Sequence, residues 1–90
     1  MSAPEAARLA PPRQPQVVAD LVVFLHDYLG LTGVAAHTRL GEDVPFDSFA
    51  VVDVIAFVEA KYGVVVDSSA LSIHDFATPA VIAERVARAA

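Results

Sequence analysis

The sequence predicts an all-α protein: a small bundle of three longer helices plus one short helix, with a long loop between helices one and two. Three observations carry this. Apolar residues recur at helical spacing in three separate stretches. Each stretch opens on a helix-starting residue, and the first two close on glycine. The single valine run that could form a strand, Val64 to Val66, has no second extended segment to pair with. Ninety residues give room for one core, and 56% hydrophobic with 19% charged residues excludes global disorder.

The first segment, "MSAPEAARLAPPRQPQ", holds four of the six prolines and has no usable period. Residues 1–15 therefore read as a flexible leader and residues 16–90 as the domain. From Gln16, Val17, Leu21, Phe24 and Tyr28 recur at helical spacing, joined by Val18, Leu25 and Leu29. Pro15 suits a first turn, and Gly30 stands where a left-handed residue ends the helix. Leu31 to Pro45 carries two glycines and a proline without a period, and it reads as a long loop pinned by Leu31, Val34 and Leu40.

Helix two is expected over Ser48 to Tyr62. Asp47 is its N-cap, Ser48 its first residue and Gly63 its stop. At 100° per residue, Val51, Val54, Ile55, Val58 and Tyr62 share the inner face. Ser48, Phe49, Val52, Asp53, Ala56, Glu59 and Ala60 fall on or beside the other. That second face mixes acids with exposed apolar groups, which marks a docking surface more than a solvated one. After the valine run a short helical turn is expected around Ser68 to Ile73. Thr78 then caps a last helix with Pro79 at its first position, Val81, Ile82 and Val86 as its buried stripe, and Glu84 and Arg88 spaced as an i,i+4 pair.

Composition removes several function classes. With no cysteine, there are no disulfides, thiolate metal sites or thiol catalysis. A net charge of −5 argues against nucleic acid as a partner. Charges interrupt every apolar run short of a membrane span, and no secretory signal is legible near Met1, so a cytoplasmic protein is expected. Ser48 lacks a nucleophile elbow and a spacing-demanded base, which disfavours triad catalysis despite His37 in the preceding loop. His26, His37 and His74 lack zinc-ligand spacing, so no metal is assigned. The acids Glu42 and Asp43 read as loop solvation, since "GEDVPFD" is not an EF-hand loop. One further reading accounts for Ser48: an exposed serine at a helix start is an attachment point, and the enzyme that adds the group supplies the chemistry.

"PFDSFAVVDVIAFVEAKYG" resembles the recognition helix of acyl and peptidyl carrier proteins, whose Asp-Ser-Leu-like motif carries 4′-phosphopantetheine on its serine. Asp47-Ser48-Phe49 stands at that motif, with Phe where Leu is commonest, and the likeness extends from Gln16 to about Ala87. Stand-alone D-alanine carrier proteins look closest, because they share Asp-Ser-Phe and an aromatic-x-Thr-Pro element similar to Phe76-Ala77-Thr78-Pro79. Ala60 and Lys61 depart from the acid-rich helix of fatty-acid carriers.

The resemblance implies a carrier, not an enzyme: a monomer whose Ser48 receives 4′-phosphopantetheine from coenzyme A through a phosphopantetheinyl transferase. Asp47 would cap the helix and help the transferase dock, and Phe49, Val52, Asp53, Ala56 and Glu59 would form the partner face. An adenylating or acyl-transferring enzyme would load the cargo as a thioester, and a downstream acyltransferase or synthase would receive it. A discrete carrier in polyketide or non-ribosomal peptide assembly is the expected setting. D-alanine carriage for cell-envelope modification and an unmodified helical adaptor are the alternatives.

Overall fold

The computed structural model describes residues 13–67 and 72–89. The element order is α1 (Gln14–Asp27), α2 (Ser48–Tyr62), a 3-10 turn (Ile73–Phe76) and α3 (Pro79–Ala89). Among the described residues this is the expected all-α arrangement of three longer helices and one short one, with the long loop between α1 and α2. No strand forms among the described residues, and Val64–Val66 belongs to an irregular connection. No helix among them is long and apolar enough to cross a membrane.

α1 begins at Gln14, two residues ahead of the expected start. Pro15 lies inside the first turn, where its missing N–H costs no ladder bond, and the Val17 amide donates to the Arg13 carbonyl at 3.0 Å. Residues 1–12, on which most of the expected leader falls, lie outside the described residues. Val17, Leu21 and Leu25 are fully buried, with Val18, Phe24 and Leu29 packed partly against the core. Tyr28 is a correction: it stands past the helix end, 67% exposed, and stacks on Phe24 with ring centroids 5.2 Å apart. The Gly30 and Leu31 amides then turn back to the His26 and Leu25 carbonyls, and Gly30 at φ 71° takes the left-handed turn foreseen for it.

The loop is held by its apolar anchors and by the backbone. Leu40 is buried, and Leu31 and Val34 pack partly on the core. The Leu40 amide donates to the Ala77 carbonyl at 2.8 Å and the Ala80 amide to the Ala36 carbonyl at 2.9 Å, stitching the loop to the start of α3. These bonds satisfy backbone groups that a loop packed on a core would otherwise leave without water.

Along α2, Ala50, Val54 and Val58 form the buried row, flanked by half-buried Val51, Ile55, Phe57 and Tyr62. Ala50 and Phe57 were not among the expected inner residues. Phe57 stacks on Phe24 at 4.3 Å and meets Tyr62 edge-on at 6.5 Å, so the apolar surface of α2 wraps farther round the helix than one face. A 3-10 turn lies at Ile73–Phe76; the short helical turn expected around Ser68 to Ile73 falls mostly on residues 68–71, which are outside the described residues. The Asp75 carboxylate accepts from the Ser72 amide at 2.8 Å, which closes the start of the Ile73–Phe76 turn.

Thr78 caps α3 as expected, its hydroxyl accepting from the Val81 amide at 3.1 Å. The buried stripe is Ile82, Ala83 and Val86 with Pro79, whereas Val81 is only half-buried. α1 packs along α3, and Ala83 is fully buried. Arg88 pairs with Glu84 at 2.9 Å on the surface.

Candidate functional site at the start of helix two

The start of α2 is built by three backbone choices. Asp47 is extended, at φ −123° and ψ −173°, and its carboxylate accepts from the Ala50 amide at 3.1 Å while its carbonyl accepts from Val51 at 3.0 Å. This is N-capping geometry, worth about 1 kcal/mol. Ser48 is the first helical residue and exposed. Its amide and that of Phe49 have no acceptor within the helix, so the partial positive charge of the helix end lies beside the serine hydroxyl.

Among the described residues the Ser48 hydroxyl makes no hydrogen bond with protein. It is thus free to carry a substituent, and a phosphodiester on it would sit at the helix end that favours an anion. The residues present therefore fit a phosphate-linked group at this position. The charge at the helix end is complementary, and Ser48 is exposed.

Along the outer side of α2, Ser48, Val52 and Ala56 follow one another at i,i+4 spacing, spanning about 12 Å. Phe49 and Asp53 form the adjacent row. Phe49 is 79% exposed and Val52 64% exposed, an unusual placement for side chains of this kind on one stretch of helix. Asp53 is half-buried, with no hydrogen bond or ion pair to another described residue.

Glu59 parts company with this group. Its carboxylate accepts from the Val66 amide at 2.9 Å, so it ties down the chain leaving α2. The loop acids are similarly occupied. Asp43 accepts from the Arg39 amide and guanidinium, each at 2.9 Å, and these bonds hold its carboxyl below the usual carboxylate range. Among the described residues no group of three or more His, Cys, Asp or Glu side chains is placed to hold a metal ion.

Two further features surround the site. The Tyr62 hydroxyl donates to Asp20, and burial with this bond raises the phenol above its ordinary value. A cleft of about 330 Å³ also opens between α2 and α3. Val54, Ile55 and Val58 line it from one side, Ile82 and Val86 from the other, and Val66 from the connection. Only the apolar spacing of α2 and α3 hinted at this cleft, and spacing does not say how far apart two helices stand.

No protein-family model, curated protein or solved structure matches the chain significantly. What the site can do rests on its own geometry and on the motif at its centre.

Proposed function

We propose that this protein is an acyl or aminoacyl carrier and that Ser48 is its attachment site for 4′-phosphopantetheine. The observation that carries the reading is the exposed, unpartnered Ser48 hydroxyl, set between a capping Asp47 and an exposed Phe49 at the first turn of α2. A hydrolytic serine needs a base and an oxyanion hole beside it. A modified serine needs only access, and this one has it.

In the modifying reaction the Ser48 hydroxyl takes the phosphopantetheinyl group from coenzyme A. One phosphodiester bond forms at Oγ as the pyrophosphate bond breaks, adenosine 3′,5′-bisphosphate leaves, and the serine proton passes to a base on the transferase. The arm supplies the thiol that this cysteine-free chain lacks and holds cargo as a thioester. Asp47 keeps the first turn formed, so the hydroxyl is presented at a fixed place. Phe49, Val52, Asp53 and Ala56 offer one contiguous surface to the transferase, to a loading enzyme that adenylates or transfers the acyl group, and to the acceptor synthase.

A discrete carrier in polyketide or non-ribosomal peptide assembly is the setting this reading favours, with D-alanine carriage for the cell envelope as its alternative. Phe76-Ala77-Thr78-Pro79 favours the alternative by motif. Each of its distinctive residues also has a local task, since Phe76 fills the core and Thr78 caps α3.

Incubation with coenzyme A and a broad-specificity phosphopantetheinyl transferase, followed by intact-mass measurement, tests the proposal. A single phosphopantetheinyl adduct, absent from Ser48→Ala, is expected. No adduct on the folded wild-type chain, or one that persists in Ser48→Ala, sinks it and leaves an unmodified helical adaptor using the same face.

A further inference from the structure

Glu59 contacts the chain leaving α2 twice, through its backbone and through its side chain. The Glu59 carbonyl accepts from the Gly63 amide at 3.0 Å, with Gly63 left-handed at φ 68°, and the Glu59 carboxylate reaches on to the Val66 amide at 2.9 Å. Between these two bonds Val64 is buried, while Val65 is 83% exposed. Val66 is half-buried and lines the cleft between α2 and α3. Among the described residues no backbone carbonyl takes the Val66 amide, so Glu59 is its acceptor.

We propose that Glu59 is a positioning residue for the wall of this cleft: through Val66 it holds Val64–Asp67 against α2 and sets the width of the opening between α2 and α3. The sequence reading placed Glu59 beside Asp53 as an acid for partners to recognise. Geometry separates the two. Asp53 has no partner among the described residues, whereas recruiting Glu59 to an outside cation would strip a backbone amide of its acceptor.

The other edge of the cleft is fixed independently. Arg85 meets Asp75 at 2.8 Å, and Asp75 is held by the Ser72 amide. On the facing side, the Glu59 carboxylate holds the Val66 amide at 2.9 Å, and Val66 lines the cleft from the connection. The role stands apart from the modification of Ser48 and goes beyond the carrier reading.

Replacing Glu59 by Gln removes the charge and keeps an acceptor oxygen, whereas Ala removes both. Amide exchange at Val66 and binding of the neutral probe N-phenyl-1-naphthylamine read the wall directly. In Glu59→Ala, Val66 should exchange about tenfold faster or more, the loss expected for a bond to a charged acceptor, and probe affinity should change about threefold or more. Val54 and Ile82 amides, within the helices, should keep their protection in every variant. In Glu59→Gln both wall readouts should stay within about twofold of wild type, because the acceptor remains.

Unchanged Val66 exchange in Glu59→Ala overturns the proposal, as does faster exchange with unaltered probe binding. Equal disruption by Gln and Ala also overturns it, because charge would then be what matters. Glu59→Met is the second variant should Ala lose helix protection. The mass test on Ser48 is read separately, so failure of the carrier reading leaves this result intact.

Discussion

The Tyr62 hydroxyl donates a hydrogen bond to the Asp20 carboxylate, joining the last turn of α2 to the middle of α1 across 42 residues of chain. Tyr62 also closes an aromatic row that runs through Phe57 and Phe24 to Tyr28. The pair is thus a polar clasp at the edge of an apolar contact between α1 and α2.

Tyr62→Phe removes the clasp and keeps the ring. Stability should fall by about 0.5–1.5 kcal/mol in urea unfolding, with the aromatic packing retained. In alkali, burial first, then the bond to Asp20 and its charge, keep the Tyr62 phenol protonated above the ordinary value of 10.0. Its contribution is complete below that pH and is lost progressively as pH rises through the higher folded value. Phenolate absorbance should show Tyr62 ionising late, and Asp20→Asn should bring that ionisation to lower pH.

Asp47→Ala deletes the cap of α2 and should cost about 1 kcal/mol by thermal or urea unfolding, while Asp47→Ser should restore most of it. On the carrier proposal, Asp47→Ala also slows modification of Ser48, because the first turn that presents the hydroxyl frays.

Phe49→Ala and Val52→Ala should leave stability within about 0.5 kcal/mol, since both side chains are already in water. Their effect should appear in partner chemistry: the rate of Ser48 modification at limiting protein should fall about tenfold in at least one of them. A stability loss comparable to that of a core substitution would show instead that this face is buried in the free protein.

Asp75 is held below its ordinary value of 3.8 chiefly by the Ser72 amide; burial opposes this, and the Arg85 charge and hydrogen bond add to it. A carboxyl lowered by folding stabilises above its ordinary value and loses that contribution as pH falls through the folded one. Asp75→Asn should therefore lower the urea midpoint at pH 7. The gap to wild type should close as the solution is taken below about pH 3.8.

Leu21→Ala probes the core at a fully buried position on α1. A loss of about 2–5 kcal/mol is expected, a large share of the about 5–15 kcal/mol that holds a domain together, and calorimetric melting should register it.

Much of this architecture was legible before any coordinates. Asp47, Ser48 and Gly63 announce both ends of α2 because capping is local: a carboxylate satisfies amides three residues on, and glycine takes the left-handed turn at little cost. Thr78-Pro79 does the same for α3. The outward placement of Ser48, Phe49 and Val52 followed from helical periodicity alone.

Contacts between distant parts of the chain were not legible. Periodicity tells which side of a helix is apolar, but not how wide that side is or what lies across from it. So Phe57 passed unnoticed until Phe24 was found stacked on it, and Val81 was placed in a stripe that Ala83 occupies. The turn at Ile73–Phe76 is closed by Asp75 reaching back to the Ser72 amide, a bond that composition does not announce. Glu59 and Asp53 look equivalent in sequence, two acids on the outer side of one helix. Only the fold brings the Val66 amide within 2.9 Å of one of them, making Glu59 a structural acceptor while Asp53 stays available. Local hydrogen-bonding rules determine where helices begin and end, whereas the path of the chain between helices decides which of their side chains are left free to act.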